Sequence, residues 1–283
     1  MKFTKIQSCG NDYVCIELFT QSMSDPCEFA KRISAKHYGV GSDGMILVCP
    51  SQKADFRMRI FNVDGTEGLM CGNGLRVASK LFYDKGLTDR TELSVETQSG
   101  IKHVTLTVSD GAVTDASAEI GRASFDCGDI PCTLSDSKNE CITQKVDLGD
   151  AVFDVTAVSF GNPHCCIVCD EPEDIDLQRY GSMLEKHAIF PDRANVEFFK
   201  LIDKNNIYIR TYERGCGETL GCATGSAACV ATAIRLGLVA KTVNVHQRGG
   251  CIGVFVDKQG NYHLHGKPIA VFEGVTLFDD EII

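Results

Sequence analysis

Slid against itself by 151 positions, this chain of 283 residues matches itself motif for motif. Residues 8–16, SCGNDYVCI, fall on residues 159–167, SFGNPHCCI, with five of the nine identical. Arg59, Glu67, Leu69, Cys71 and Gly74 fall on Arg210, Glu218, Leu220, Cys222 and Gly225, and Gly86-Leu87 falls on Gly237-Leu238. One offset held over so long a span means two domain-sized copies, not a solenoid of short repeats. Local signals agree. Asp25-Pro26-Cys27-Glu28 reads as a helix start, with an N-cap Asp, Pro in the first turn and an acid three residues after the cap, and the pattern ends near Gly39. Asp176, one period later, opens a second helix running to about Lys186. Alternating β-branched and aromatic residues predict strands at about 44–49, 55–62, 194–201 and 206–213, and each copy closes in short strands around turns such as Ser109-Asp110-Gly111 and Gln259-Gly260-Asn261. The expected fold class is α+β, in two pseudo-symmetric domains. Residues 1–130 carry Cys71 and residues 131–283 carry Cys222, the extreme C-terminal strand being able to pack back on the first half. The linker is expected in the polar stretch near 120–150. A helix from Ser226 to Leu236 is apolar almost all round and should be enclosed by sheet, whereas its partner, Leu75 to Lys85, keeps a polar stripe of Arg76, Lys80, Asp84 and Lys85.

Charge and cysteine usage narrow the function classes. With 28 Lys plus Arg against 38 Asp plus Glu, the net charge of -10 offers no basic surface to a nucleic-acid backbone. No run approaches the roughly 18 apolar residues of a membrane helix, and Met1 to Val14 lacks the apolar stretch of a signal peptide. Fifteen cysteines is an odd number, and several sit in apolar runs such as Cys165-Cys166-Ile167-Val168-Cys169. They read as reduced, mostly buried side chains of a cytoplasmic protein. A homodimer is left open; nucleic acid and membrane are not expected partners. Three motif matches fail on context. Gly39 to Gly44 satisfies GxGxxG but follows a helix and enters an apolar run, the reverse of a dinucleotide site. Cys166-Ile167-Val168-Cys169 satisfies CxxC, yet in a strand residues three apart face opposite sides, and no matching second pair completes a zinc site. No GxxxxGK[ST] supports nucleotide phosphate chemistry.

Cys71-Gly72-Asn73-Gly74 and Cys222-Ala223-Thr224-Gly225 carry the chemistry. Each places a thiol beside the unpaired N–H groups of a helix N-terminus, after a Gly-rich loop. The positive helix end favours thiolate over thiol and also attracts a carboxylate. A thiolate and a thiol on opposite faces of a carbon can remove a proton from one face and return one to the other. Free Cys titrates near 8.5, so a lowering of about one or two units would supply the ionised partner at neutral pH.

On these residues the chain resembles the diaminopimelate epimerases. The likeness covers nearly the whole chain and includes Gly10-Asn11-Asp12, Phe61-Asn62-Val63-Asp64-Gly65, Met70 to Gly74, Gly161-Asn162-Pro163-His164, Asn195-Val196, Glu213-Arg214-Gly215 and Gly217-Glu218-Thr219. It implies, in each half, a strongly curved, mainly antiparallel sheet around a central helix. It also implies an isomerase of lysine and peptidoglycan-precursor synthesis that interconverts LL- and meso-2,6-diaminopimelate with no pyridoxal phosphate, metal or nucleotide cofactor. Cys71 and Cys222 become the base and acid, exchanging roles with direction. Asn11, Asn62, Asn162 and Asn195 would hold carboxylates and amines of the substrate. Gly72-Asn73 and Ala223-Thr224 would present N–H groups and short side chains to the reacting carboxylate. Glu213 would face an ammonium and Arg214 a carboxylate, while His164 and Glu213 would tune the sulfurs. The chain departs from the family at Gly44, where some members carry Gln, at Ala223, where Gly is commonest, and at Cys9. These departures bear on the strictness of substrate choice and not on the sulfur pair. Three other readings stand beside this one: a proline-racemase-like enzyme, a cysteine hydrolase using one sulfur with His164, and a non-catalytic amino-acid binding protein.

Overall fold

The computed structural model describes residues 1–136 and 138–278 and divides the chain into two units. One comprises Met1–Glu119 and the chain from His265 onward, the other Ile120–Leu264. The first unit contains strands β1 (Lys2–Ser8) and β2 (Asn11–Glu17), helix α1 (Pro26–Ser34), strands β3 (Gly44–Cys49), β4 (Phe56–Asn62) and β5 (Glu67–Gly68), helix α2 (Gly72–Asp84), and strands β6 (Glu92–Thr97) and β7 (Gly100–Ser109). Strand β8 (Ala112–Gly121) straddles the boundary. The second unit follows the same plan with β9 (Gln144–Asp147), β10 (Val152–Ser159), β11 (Pro163–Val168), α3 (Leu177–Glu185), β12 (Asn195–Asp203), β13 (Asn206–Glu213), β14 (Gly217–Thr219), α4 (Ala223–Arg235), β15 (Thr242–Gln247) and β16 (Gly250–Val256), and β17 (Tyr262–Gly266) straddles its end. Strand β18 (Ile269–Val275) belongs to the first unit and pairs antiparallel with β1. Residues 279–283 of the expected terminal strand lie outside the described residues.

The class is α+β, as the repeat suggests, and the ladders match strand for strand. In the first unit β1–β2 is antiparallel, β2–β3 parallel, β3–β4 antiparallel and β4–β6 parallel. In the second, β10–β11, β11–β12, β12–β13 and β13–β15 repeat that order of directions. The parallel pairings hold one register in both: Tyr13 lies opposite Gly44, and His164 opposite Asn195. Only the first hairpin differs. Ser8 pairs with Asn11 across a two-residue turn in which Cys9 and Gly10 both have positive φ, at 54° and 78°. That is the backbone a tight hairpin requires and glycine or a tolerant residue supplies. Ser159 pairs instead with Pro163, leaving Asn162 outside the ladder.

Each central helix packs against its own unit's strands, α2 on β1, β2, β3, β4 and β7, and α4 on β10, β11, β12, β13, β15 and β16. Enclosure of α4 follows from its run of small and apolar side chains, buried from Gly225 to Ala233. Helix α2 is buried too, from Gly72 to Phe82, so Arg76 and Lys80 of the expected polar stripe are taken inside while Asp84 and Lys85 stay exposed. Its polar groups have internal partners. Lys80 Nζ donates to Val113 O at 2.7 Å and lies 2.6 Å from Asp84, while Arg76 turns back toward the helix start. Leu75, Leu81 and Phe82 pack in the same core, each contributing about 1.5–3 kcal/mol by burial. Gly86 and Gly237, with φ of 69° and 73°, end the two helices in left-handed turns. The next residue closes each turn, Leu87 N donating to Phe82 O at 3.2 Å and Leu238 N to Ala233 O at 2.8 Å. This motif explains why Gly-Leu repeats at both sites.

Helix α1 starts as expected, Asp25 accepting from Glu28 N at 3.0 Å, but ends at Ser34, short of Gly39. Asp176 caps α3 in the same way, with Arg179 N at 3.1 Å. The stretch expected to hold the linker behaves differently. Cys127, Ile130, Cys132 and Cys141 are buried in the second unit's core, so this stretch packs as part of that unit; residue 137 lies outside the described residues.

Candidate active site

Cys71 is the N-cap of α2, in extended conformation, and its sulfur accepts from Gly74 N at 3.4 Å. Cys222 stands in the same place on α4, accepting from Gly225 N at 3.3 Å. The cysteine side chain thus takes the part an Asp or Ser normally plays at a helix start, so each sulfur points at unpaired N–H groups. Glycine three residues later is fitted tightly in the first unit and required in the second. A Cβ on Gly74 would meet Ile46 Cδ1 at 3.3 Å, whereas one on Gly225 would collide with Glu197 Oε1 at 2.5 Å.

Around Cys71 the polar side chains form a connected set. Tyr13 Oη lies 3.2 Å from Cys71 Sγ and also donates to Asn11 Oδ1. Asn73 Nδ2 reaches the same Asn11 oxygen at 3.4 Å, and Asn11 Nδ2 donates to Asp43 Oδ2 at 2.8 Å. Beneath Asn73, the buried Arg76 guanidinium donates to Asn73 Oδ1 at 2.5 Å, Ser8 Oγ at 3.1 Å and Gly72 O at 3.4 Å. Burial pushes the Arg76 pKa down, and the nearby Cys9, Cys71, Asp115 and Tyr13 only partly oppose it. Asn62 is exposed at the end of β4, its amide donating to Thr66 Oγ1 at 2.9 Å. Gly44 lies opposite Asn62, and a Cβ there would sit 2.4 Å from Phe61 O. This backbone is fitted to glycine, so a Gln at position 44 requires the strand to move.

Around Cys222 the set is different. Thr224 Oγ1 lies 3.5 Å from the sulfur and accepts from Asn162 Nδ2 at 3.3 Å, so Asn162 and Thr224 meet as Asn11 and Asn73 do. His164 Nδ1 meets Glu197 Oε1 at 2.9 Å, both groups fully buried, and Cys166 Sγ lies 3.9 Å from Glu197 Oε2. His164 Nε2 is buried with no hydrogen-bond partner. Asn195 joins two loops, donating to Pro163 O at 3.0 Å and accepting from Arg214 N at 3.0 Å. Glu213 accepts from Thr219 Oγ1 at 2.7 Å, and the Arg214 guanidinium donates to Asp192 O at 3.1 Å. Ala223 is buried in the first turn of α4. The expectation that a helix start lowers its thiol's pKa fails at Cys222. Burial pushes that thiol well up, the Glu213 and Glu197 carboxylates push it further, and the contacts from Thr224 and Gly225 N only partly oppose them.

Within the first unit, Asn11, Cys71, Gly72 and Asn73 come together at one helix start, with Asn62 one strand away. Within the second, Asn162, Cys222, Ala223 and Thr224 gather likewise, with His164, Asn195 and Glu213 on strands of the same unit and Arg214 in the turn after β13. Sequence reasoning missed Tyr13, Arg76, Asp43 and Glu197. Two of these had a signal: Tyr13 is one period before His164, and Glu197 is an acid inside the apolar run Val196 to Phe199. Among the described residues no group of three or more His, Cys, Asp or Glu side chains is placed to hold a metal ion.

The family model described as Diaminopimelate epimerase matches residues 3–126 and 156–271. The diaminopimelate epimerase of Agathobacter rectalis is 40% identical over 280 residues, covering 97% of this chain and 98% of the relative. That of Desulfovibrio desulfuricans is 39% identical over 279 residues, covering 97% of each. Among solved structures, the chain is similar in fold to a probable proline racemase from Agrobacterium radiobacter, with a TM-score of 0.71, 13% identity and coverage of 98% of this chain and 93% of that one.

Proposed function

This chain belongs to the diaminopimelate epimerase family, and from that membership we propose that it interconverts LL- and meso-2,6-diaminopimelate, with Cys71 and Cys222 as the two proton-transfer groups. The observation that carries the assignment of these residues is the pair of cysteine N-caps, one on the central helix of each unit, each sulfur held by the N–H of a glycine three residues on.

Inversion at an α-carbon needs a base on one face and an acid on the other. Burial and the Glu213 and Glu197 carboxylates favour Cys222 as thiol, which suits it to the acid's part. In that direction Cys71 takes the α-proton: the C–H bond breaks, an S–H bond forms, and the electron pair passes into the substrate carboxylate. Cys222 then gives its own proton to the opposite face, and the reverse reaction exchanges the roles. The N–H groups at Gly72-Asn73 and Ala223-Thr224 receive the carboxylate on which that charge develops, where preorganised donors act most strongly. Asn11 and Asn162, each hydrogen-bonded to the helix-start side chain of its own unit, orient substrate polar groups. Asn62, Asn195, Glu213 and Arg214 address the distal carboxylate and ammonium. His164 is held at Nδ1 by Glu197, which fixes the orientation of its ring beside the second helix start.

Purified protein given LL-diaminopimelate in heavy water tests the substrate. The expected result is meso product carrying deuterium at the inverted carbon. Inversion of proline in place of diaminopimelate would leave the sulfur pair standing and remove the substrate. Acylation of one cysteine by an ester would instead favour a hydrolase.

A further inference from the structure

Nothing in the two-thiol scheme uses Tyr13, although its hydroxyl is the side-chain oxygen that touches the Cys71 sulfur, at 3.2 Å. The ring is buried in the first unit's core, where a phenylalanine would pack equally well, so packing does not account for the hydroxyl. Its second neighbour is Asn11 Oδ1, and the orientation of that amide is fixed from outside: Asn11 Nδ2 donates to the Asp43 carboxylate at 2.8 Å, which turns Oδ1 toward the tyrosine. The hydroxyl has one proton, and both the Cys71 sulfur and Asn11 Oδ1 lie within its reach.

We infer that Tyr13 is a catalytic residue of the first half-site, its hydroxyl donating to the Cys71 sulfur when that sulfur is ionised and accepting from it when it is protonated. The inference rests on the reading of Cys71 as a proton-transfer group. With Cys71 as thiol, S–H donates to Oη and Oη–H donates to Asn11 Oδ1. When the proton leaves the sulfur, Oη–H swings to the thiolate, and Asn11 Oδ1 keeps Asn73 Nδ2, 3.4 Å away. Tyr13 retains its own proton throughout, so no bond to it breaks and the balance of the inversion is unchanged. A donor to the ionised sulfur is stronger than the same contact to a neutral one, so the hydroxyl favours the form of Cys71 that takes the α-proton. The repeat supports this assignment. Tyr13 and His164 occupy the same position in the two units, each a planar ring with a polar edge on the strand that adjoins the central helix.

Tyr13→Phe keeps the ring and removes the donor. Alkylation by iodoacetamide, followed peptide by peptide, is expected to slow about tenfold at Cys71 at pH 7, the difference between hydrogen-bonding a charged and a neutral sulfur. The variant and the parent should converge at pH 10, and the Cys222 peptide should be unaffected. The value of kcat/KM should fall by a common factor in both directions, because the equilibrium constant of the reaction is fixed. Unchanged labelling of Cys71 at pH 7, or labelling slowed equally at both pH values, overturns the inference whatever the turnover. The labelling needs no substrate. A slowed, pH-dependent reaction in a chain that inverts no diaminopimelate would uphold the contact between Tyr13 and Cys71 while overturning the epimerase reading.

Discussion

Tyr13 and His164 sit in the same register on equivalent strands, yet one touches a cysteine sulfur and the other is held by a buried carboxylate. The same divergence runs through both helix starts. Beside the glycine of the Cys-x-x-Gly motif, the first unit has Ile46 and the second Glu197, two residues one period apart. Asn73 is anchored by Arg76, and position 227, one period on, is Ala. Duplication therefore preserved what the backbone needs: an N-cap sulfur, a small residue three positions on, and a left-handed glycine at the helix end. It left free the groups that set the charge around each sulfur. The result is that the second sulfur, among buried carboxylates, is held as thiol more firmly than a helix start alone would leave it.

The strongest way to break this comparison is to remove one sulfur at a time. Cys71→Ala and Cys222→Ala should each lower epimerisation by at least about a thousandfold, since either loss removes a base in one direction and an acid in the other. Steady-state rates measured from both epimers check this, and near-normal turnover by either variant would show that the two sulfurs are not partners. Next in size is the electrostatic contrast. Glu213→Gln removes a negative charge that holds the Cys222 proton on, so the Cys222 pKa should fall and its alkylation at pH 7 should quicken several-fold. Cys71 labelling in the same sample is the internal control, and a slower Cys222 reaction would reverse the assigned sign.

The paired arginines sharpen the comparison through stability. Arg59 forms two hydrogen bonds to Glu67, at 2.8 and 2.7 Å, whereas Arg210 bonds Glu218 and also the carbonyls of Pro172 and Ile175 at 2.7 and 3.0 Å. Arg210→Ala leaves more buried acceptors without partners, so it should cost about 3 kcal/mol against about 1–2 kcal/mol for Arg59→Ala in denaturant unfolding. Equal losses would mean that the carbonyl contacts contribute nothing. The smallest effect is at the helix caps, where Asp25→Ala and Asp176→Ala should each cost about 1 kcal/mol and shift the unfolding midpoint by similar amounts.

What could be read from the sequence was local or periodic. The Asp caps of α1 and α3, the Cys-x-x-Gly helix starts, the Gly-Leu helix ends and the strands from 44 and 206 all depend on neighbours a few residues away, and the offset of 151 doubles each signal. The remainder depends on distant approaches. Arg76 and Lys80 read only as members of a polar stripe because their buried partners, Ser8 and Val113, lie far away in sequence. Cys222 read as a lowered thiol because the helix end is visible in its own motif, whereas Glu197 reaches it from another strand. Tyr13 was missed because its apolar ring fits the strand pattern and its hydroxyl matters only at the sulfur it meets. Similarly, the polar composition of the stretch near 120–150 masked the buried cysteines that tie it into a core.

The most direct test of the two-sulfur account follows single turnovers in heavy water, comparing the parent protein with Cys71→Ala and Cys222→Ala from each epimer of diaminopimelate. The account predicts that the parent places solvent deuterium at the inverted carbon in both directions, and that neither variant forms the opposite epimer. Inversion surviving in either variant, or product from the parent that retains its original α-hydrogen, would contradict it.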